Sequence, residues 1–215
     1  MLSVVADFDG TLLKYDLAEL VLKRFGRRGW ERYDELLNAG EITVEQCVAR
    51  QYAMIDVRSQ KQVTDCIADY CVFRPGCGAL LSECEREGVR LFVVSAGLDF
   101  CIRYAFHRSG LRMPELVCPK SSLVPRHGFG LSIPPRFHAA SRDFKEDMVM
   151  HHKGQGSRVV FLGDGAGDFN AAAAADLVFA IRGSRLDTMC SDRRIPHRSV
   201  ATLAPVARFV HTVRF

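Results

Sequence analysis

Three short runs of apolar, mostly β-branched or aromatic residues each end in a cluster of acidic or small polar residues. They are residues 2–11 (LSVVADFDGT), 90–97 (RLFVVSAG) and 158–168 (RVVFLGDGAGD). Apolar runs without an alternating polar face are typical of strands that are buried on both faces of a parallel sheet. Helical patterns separate the runs, so the sequence predicts an α/β fold. Its core is a Rossmann-like, mostly parallel sheet with helices on both faces.

The polar residues at the ends of these runs are predicted to converge. The carboxyl ends of neighbouring parallel strands lie at one edge of a sheet, where ligands bind in open α/β folds. Asp7, Ser95 and Asp164 each follow a different run. Asp9 lies one residue beyond Asp7, and two close carboxylates repel each other and cost free energy to bury. We therefore expect a site at this edge that also contains positive charge.

Residues 15–74 differ from the rest of the chain because their apolar spacing is helical and no strand pattern interrupts it. Three helices are predicted there, within residues 16–26, 42–55 and 61–72. This segment is predicted to be a small helical cap, and we call residues 15–74 the cap below. The predicted catalytic core then comprises residues 1–14 and 75–215.

One part of the predicted core departs from the alternation of strands and helices. Residues 112–142 are irregular and rich in proline. We expect a short strand near residues 116–118 and a hairpin or loops near residues 126–130. Beyond the third apolar run, the pattern predicts a strand at residues 176–181 and a final helix at residues 184–194.

Composition excludes several classes of protein. Hydrophobic residues make up 48% of the 215 residues and charged residues 25%, which is typical of a globular domain with a substantial core. The net charge of +4 is small, and we interpret the arginine-rich residues 182–198 as a solvated basic face that does not bind nucleic acid. No apolar run reaches membrane-spanning length, and we expect a protein without a signal peptide. The eight cysteines contain no C-x-x-C pair, so we expect reduced thiols and a cytoplasmic protein.

Four motifs together give the chain a specific resemblance to a known family. In chain order they are DFDGT (residues 7–11), VVSAG (93–97), DFKED (143–147) and GDGAGD (163–168). With these motifs the chain resembles the haloacid-dehalogenase-like (HAD) superfamily of phosphotransferases, over residues 1–14 and 75 to about 195. The helical cap places the resemblance in the phosphoserine-phosphatase-like branch. Two stretches, residues 163–180 with 185–197 after them and residues 40–51 in the cap, resemble most closely the group of methylthiopentenyl-phosphate and phosphoethanolamine or phosphocholine phosphatases.

The resemblance implies a role for each motif residue. Asp7 corresponds to the nucleophile, which attacks phosphorus to form an aspartyl-phosphate. Asp9 corresponds to the general acid that protonates the leaving group and then to the base that activates water. Lys145 would place a positive charge between Asp7 and the phosphate, with Lys120 as the alternative for that role. Thr11, Ser95 and the amide of Ala96 are implied as phosphate-site residues, Thr11 by supporting the turn.

The resemblance also implies a magnesium ion, because a phosphate dianion and a carboxylate approach each other only when a cation lies between them. The implied metal ligands are the carboxylates of Asp7 and Asp164 and the backbone carbonyl of Asp9. Asp168 would bind the ion directly or through water.

The cap departs from the phosphoserine phosphatases at two positions. Asp16 stands where they carry a glutamate, and Gln51 stands where they carry an arginine that binds the substrate carboxylate. Arg50 is adjacent and is a possible substitute, since a neutral glutamine cannot pair with a carboxylate in two-point geometry. Phosphoserine is therefore less favoured than other phosphomonoesters. The cap residues that we consider for substrate contact are Asp16, Glu19, Trp30, Glu41 and Arg50, with packing in the cap as the alternative for Trp30.

The predicted function is a Mg²⁺-dependent phosphatase for a small phosphorylated metabolite, acting as a monomer or homodimer without nucleic-acid or membrane partners. A first alternative is a phosphotransferase or phosphomutase of the same fold. A second is a catalytically idle binding module, and a third is nucleic-acid binding through residues 182–198.

Overall fold

The computed structural model describes residues 1–212. Within them the chain forms one six-stranded parallel sheet, a separate two-stranded hairpin and ten α-helices. The strands are β1 (Leu2–Ala6), β2 (Arg90–Val94), β3 (Glu115–Val117), β4 (Lys120–Val124), β5 (Gly128–Ser132), β6 (Arg158–Gly163), β7 (Leu177–Ile181) and β8 (His197–Val200). The helices are α1 (Leu17–Phe25), α2 (Arg32–Asn38), α3 (Val44–Tyr52), α4 (Gln60–Ile67), α5 (Cys77–Arg86), α6 (Asp99–Ser109), α7 (Phe144–Gly154), α8 (Phe169–Ala174), α9 (Arg185–Asp192) and α10 (Ala204–Thr212).

The large sheet has the strand order β3-β2-β1-β6-β7-β8, and every neighbouring pair in it is parallel. Strand β1 lies between β2 and β6, and all five of its residues are buried. Its carboxyl end is therefore beside the carboxyl ends of the other two apolar runs, as the sequence predicted. The predicted α/β fold class is confirmed.

Two apolar clusters cover the two faces of this sheet. Alternate residues of β1 enter different clusters, with Val4 and Ala6 on one face and Val5 on the other. This period of two is the geometry of a strand, and burial on both faces explains why the run lacks polar positions. The cluster around Val5 includes Phe144, the first residue of α7, so the start of this helix packs against the sheet.

The cap contains four helices, α1 to α4, where the sequence predicted three. The prediction missed α2, which is only seven residues long and has no buried residue to create a periodic apolar pattern. The two chain segments that join cap and core pair at Leu13 and Phe73 in an isolated antiparallel bridge. Arg74 follows and donates to the carbonyls of Thr11 (2.9 Å) and Gly10. The cap boundaries at residues 15 and 74 stay a prediction.

The irregular segment contains the expected short strand, β3, and the expected hairpin, formed by β4 and β5 in antiparallel register.

The chain does not end with the helix near residues 184–194, because β8 and α10 follow it, and this expectation was wrong. Strand β8 (HRSV) lies at the sheet edge and carries mostly exposed polar side chains, so it has no apolar run. The last three residues of the predicted core, 213–215, lie outside the described residues. Among residues 1–212, no helix combines the length and apolar character needed to cross a bilayer.

One glycine fixes the re-entry of the chain from the cap into the core. Gly76 precedes α5 with φ +90°, a conformation that strains other L-residues. A Cβ atom there would lie 2.4 Å from the backbone nitrogen of Ala204, where α10 packs against α5. The position therefore excludes any larger side chain without movement of the C-terminal helix.

We expect Gly76→Ala to lower the free energy of unfolding by about 1–3 kcal/mol, because the backbone strain and the clash with Ala204 both destabilise the native state. Gly78→Ala is the matched control. Its Cβ would meet only Leu111 at 3.5 Å, and alanine is the better helix former. Urea unfolding of the three proteins measures the difference, and equal midpoints for both variants would contradict the assignment.

Candidate active site

The turn after β1 places two carboxylates and a hydroxyl at the sheet edge. Asp7 has extended backbone, and Gly10 adopts φ +69° so that the chain reverses. A Cβ atom on Gly10 would lie 2.3 Å from a carboxylate oxygen of Asp164, so the close approach of the two segments requires glycine. Thr11 is fully buried and its hydroxyl donates to Asp164 Oδ1 at 2.9 Å. The turn thus holds Asp164 in place from the side of β1.

Lys145 lies between two carboxylates that come from different strand ends. Its Nζ is 2.6 Å from Asp7 Oδ1 and 2.7 Å from Asp168 Oδ1, and all three residues are at most 5% exposed. The lysine is in the first turn of α7, whose N-cap residue Asp143 accepts a hydrogen bond from Glu146 N. The structure therefore brings together Asp7 and Lys145 as the resemblance implied, whereas Lys120 is exposed on β4.

Asp168 organises the loop after β6 as well as the lysine. Its second oxygen, Oδ2, accepts from the backbone nitrogens of Asp164 and Gly165, both at 2.9 Å. Each carboxylate oxygen therefore already has a strong donor. This bonding assigns Asp168 to positioning Lys145 and the Asp164 loop, and its share in metal binding stays a prediction.

Charge in this cluster is unbalanced. Burial and the neighbouring Asp168 raise the pKa of Asp7 to about 7, although Lys145 opposes that shift. Burial and the negative charge of Asp7 raise the pKa of Asp164 to about 8. Burial lowers the pKa of Lys145, but Asp168 and Asp7 outweigh it and keep the ammonium charged. One lysine is thus too little positive charge for the three carboxylates around it.

The carboxylates of Asp7, Asp164 and Asp168 fit a hard divalent cation. Each offers an oxygen atom, and these atoms all lie within 4.8 Å of one another. Mg²⁺ prefers such oxygen ligands and binds through a few carboxylates, with water and phosphate completing its shell. The excess negative charge and the clustered oxygens therefore agree with the implied magnesium site.

Asp9 points away from this cluster, toward the loop after β2. Its Oδ1 accepts from the backbone nitrogen of Leu17 at 2.9 Å, and a Cβ on Gly97 would lie 2.6 Å from Oδ2. Burial and the negative charges of Asp16 and Asp7 raise the pKa of Asp9 well above its ordinary value. This shift favours the protonated form of Asp9, which is the form that a general acid needs.

The loop after β2 forms the opposite wall. Ser95 is 1% exposed and its Oγ accepts from Gly97 N at 3.0 Å, while the Ala96 carbonyl accepts from Tyr52 Oη at 3.1 Å. Ser95, Ala96 and Gly97 line the same cavity as Asp7 and Lys145. This is where the resemblance placed the phosphate-binding residues.

A cavity of about 300 Å³ extends from these residues into the cap. On the cap side its polar residues are acidic or neutral, and Lys145 carries the only positive charge among the described residues that line it. Gln51 is 4% exposed and donates to Asp34 Oδ1 at 2.9 Å. The cap-side lining comprises Asp16, Ala18, Glu19, Leu22, Trp30, Asp34, Leu37, Val44, Cys47, Val48, Gln51 and Tyr52.

Several predicted contact residues lie elsewhere. Arg50 is exposed, its guanidinium lies 5.8 Å from the centre of the Tyr33 ring, and it does not line the cavity, so its proposed contact with substrate is corrected. Glu41 is also exposed outside the cavity. We assign Thr11 to positioning Asp164 and not to binding phosphate, because its hydroxyl donates its proton to the Asp164 carboxylate. Sequence reasoning missed Asp34, because the helix that carries it was not predicted.

The comparisons with known proteins agree with this geometry. A family model described as haloacid dehalogenase-like hydrolase matches residues 4–173. The 2-hydroxy-3-keto-5-methylthiopentenyl-1-phosphate phosphatase of Brevibacillus brevis is 24% identical, and the alignment covers 99% of this chain and 96% of that protein. The enzyme of the same name from Geobacillus kaustophilus is also 24% identical, over 95% of this chain and 93% of its own.

Solved structures show the same fold. A substrate-bound phosphoserine phosphatase complex superposes with a TM-score of 0.71 at 16% sequence identity, covering 97% of this chain and 98% of that one. A phospho-aspartyl intermediate analogue of phosphoserine phosphatase superposes with a TM-score of 0.72, also at 16% identity. At this identity the likeness shows the fold alone.

The raised pKa values of Asp7 and Asp164 predict that the metal-free protein loses stability as the pH rises from 6.5 to 8. The unfolded chain has already released these protons, so it binds fewer protons than the native state and rising pH favours unfolding. Mg²⁺ should raise the melting temperature more at pH 8 than at pH 6.5, because it replaces the protons. Asp164→Asn should weaken the pH dependence of the stability and the pH dependence of the Mg²⁺ effect. Asp65→Asn on the exposed face of α4 is the control. Identical Mg²⁺ shifts at both pH values would contradict this.

Proposed function

The chain belongs to the haloacid dehalogenase-like hydrolases, and from this we propose that it hydrolyses a small phosphomonoester in two steps, with Asp7 as the nucleophile. The predicted family and the predicted class of enzyme, a phosphoric monoester hydrolase, are confirmed. The observation that carries the proposed mechanism is the contact of Lys145 Nζ with Asp7 at 2.6 Å inside the acidic cluster. The predicted cytoplasmic location and the oligomeric state stay predictions.

In the first step an oxygen of Asp7 forms a bond to phosphorus, and the bond from phosphorus to the ester oxygen breaks. Lys145 favours the ionised form of Asp7 and aligns it, and its positive charge offsets the repulsion between the carboxylate and the phosphate oxygens. Asp9, whose raised pKa favours the protonated form, gives its proton to the leaving oxygen. The products are an aspartyl-phosphate and the free alcohol.

In the second step water attacks the phosphorus of the aspartyl-phosphate. Asp9 is now the carboxylate and takes the proton that the water loses, so the residue returns to its starting state. The acyl-phosphate bond breaks, and Asp7 is released as a carboxylate together with inorganic phosphate. Ser95 and the amide of Ala96 bind phosphate oxygens in both steps. A Mg²⁺ ion held by Asp7 and Asp164, with the Asp9 carbonyl and Asp168 as further proposed ligands, would neutralise the phosphate charge.

The cap side of the cavity favours a substrate whose organic part is neutral or cationic. Asp16, Glu19 and Asp34 face the cavity there, and Trp30 offers an apolar, aromatic surface. A substrate carboxylate would meet negative charge, and the cap-side lining of the cavity offers no cation to pair with it. The relatives named above act on a phosphate ester whose printed name contains hydroxy, keto and methylthio groups and no acid. We therefore propose a phosphorylated alcohol, ketol or amino alcohol.

We expect Asp7→Asn to reduce hydrolysis of p-nitrophenyl phosphate by at least about 10³-fold, because the amide cannot form the intermediate. Asp9→Asn should reduce turnover of glycerol phosphate by about 10²–10⁴-fold but reduce that of p-nitrophenyl phosphate much less, since nitrophenolate leaves without a proton. Removal of metal by EDTA should abolish activity, and Mg²⁺ should restore it. Asp65→Asn is the surface control, and full activity of Asp7→Asn would refute the mechanism.

Wild-type protein should hydrolyse phosphoethanolamine and glycerol phosphate with a higher kcat/KM than phosphoserine. Gln51→Arg should raise the phosphoserine value relative to the others by about tenfold, because it places a guanidinium beside the cavity. Gln60→Arg, at the exposed start of α4, adds the same charge outside the cavity and should leave the ratio unchanged. The proposed selectivity fails if the wild-type enzyme prefers phosphoserine.

A further inference from the structure

A glutamate of the cap reaches the start of the helix that carries the catalytic lysine. Glu45 on α3 is 7% exposed, and its Oε1 accepts from the backbone nitrogen of Phe144 at 2.9 Å. Phe144 is the first residue of α7 and directly precedes Lys145. The cap and the lysine are thus joined by one hydrogen bond and one residue of backbone.

This bond satisfies a donor that α7 cannot satisfy by itself. The first amides of a helix lack intrahelical acceptors. The N-cap residue Asp143 accepts from Glu146 N, which leaves the amide of Phe144 to an outside partner. Glu45 is that partner, and its negative charge at the helix N-terminus is also electrostatically favourable. If the cap moved away, this buried amide would lose its acceptor.

The segment after the β4–β5 hairpin holds Glu45 from the core side. Arg136 Nη2 donates to the same Oε1 atom at 2.8 Å, and Arg136 Nη1 donates to the Ser141 carbonyl at 2.7 Å. The guanidinium therefore joins Glu45 to the loop that leads into α7. Glu45 Oε2 is buried and has no hydrogen-bond partner among residues 1–212, which is a costly arrangement for a residue that only fills space.

The hairpin itself contacts the cap next to α3. A Cβ on Gly128 would lie 2.3 Å from the Tyr52 carbonyl, so the two backbones touch there. The backbone nitrogen of Arg126 donates to the Val57 carbonyl at 3.0 Å, and Arg27 donates to the Arg126 carbonyl. Residues in the segment 120–142 thus form part of the core side of the contact with the cap.

We infer that Glu45 is a positioning residue, which links the closed cap to the placement of Lys145 against Asp7. The inference rests on the proposed function, because it assigns Glu45 an effect on the first step of hydrolysis. Glu45 does not line the cavity and does not touch the reacting atoms. Its effect passes through Phe144 N and the first turn of α7.

The test compares Glu45→Ala and Glu45→Gln with wild type, and Glu35→Ala on the exposed side of α2 is the control. With p-nitrophenyl phosphate, Glu45→Ala should lower kcat about tenfold or more while KM changes less than about threefold, since positioning acts on the chemical step. Glu45→Gln keeps an oxygen that accepts from Phe144 N and should recover most of the activity. Glu35→Ala should match wild type.

A double-mutant cycle with Lys145→Ala separates positioning from a general loss of structure. If Glu45 acts through the lysine, Glu45→Ala should have almost no further effect on the residual activity of Lys145→Ala, measured at high enzyme concentration. The inference would be overturned if the activity of the double variant fell by the product of the two single reductions, or if Glu45→Ala had the wild-type kcat. Either result would leave the proposed function intact.

Hydrogen exchange provides a readout that does not depend on activity. The peptide that contains residues 143–148 should exchange faster in Glu45→Ala than in wild type or Glu35→Ala, because the Phe144 amide loses its acceptor. An unchanged rate would refute the link between cap and helix. A wild-type enzyme without phosphatase activity would refute the proposed function, and the exchange rates would still test the link. If Glu45→Ala does not fold, Arg136→Met should show the same changes in kcat and in exchange.

Discussion

The site depends on one buried ammonium group. Lys145 contacts Asp7 and Asp168 within 2.7 Å, and these carboxylates stand at the ends of β1 and of the loop after β6. Without that charge, burial and mutual repulsion would raise the carboxylate pKa values still further and leave Asp7 protonated at neutral pH. The parallel sheet brings the strand ends together, and α7 supplies the cation from outside the sheet. The chemistry therefore requires the correct start of α7 as much as the correct order of strands.

Much of this arrangement follows from the sequence because strand ends are easy to identify. Apolar runs that stop at Asp7, Ser95 and Asp164 place those residues at one edge once the strands are parallel. Lys145 could not be located in this way, since a lysine in a helix is usually exposed. Only its position in the family motif pointed to the site. Strand β8 escaped prediction because an exposed edge strand carries no apolar pattern.

The choice between Arg50 and Gln51 shows where pattern analysis could have gone further. Val44, Cys47, Val48 and Gln51 are spaced as one face of a helix, and the structure shows that this face lines the cavity. A helix turns about 100° for each residue, so Arg50 lies to the side of that face and reaches solvent instead. Chemical plausibility favoured the charged residue, whereas the phase of the helix favoured the neutral one. Helical phase was the better guide.

Asp9 accepts its hydrogen bond from the backbone nitrogen of Leu17, the first residue of α1. The proposed general acid is consequently anchored to the first helix of the cap. Only eight positions separate the two residues in the sequence, so a shift of α1 would act directly on the orientation of this carboxyl group. In the proposed mechanism, a change at the start of α1 would therefore alter leaving-group chemistry together with substrate selection.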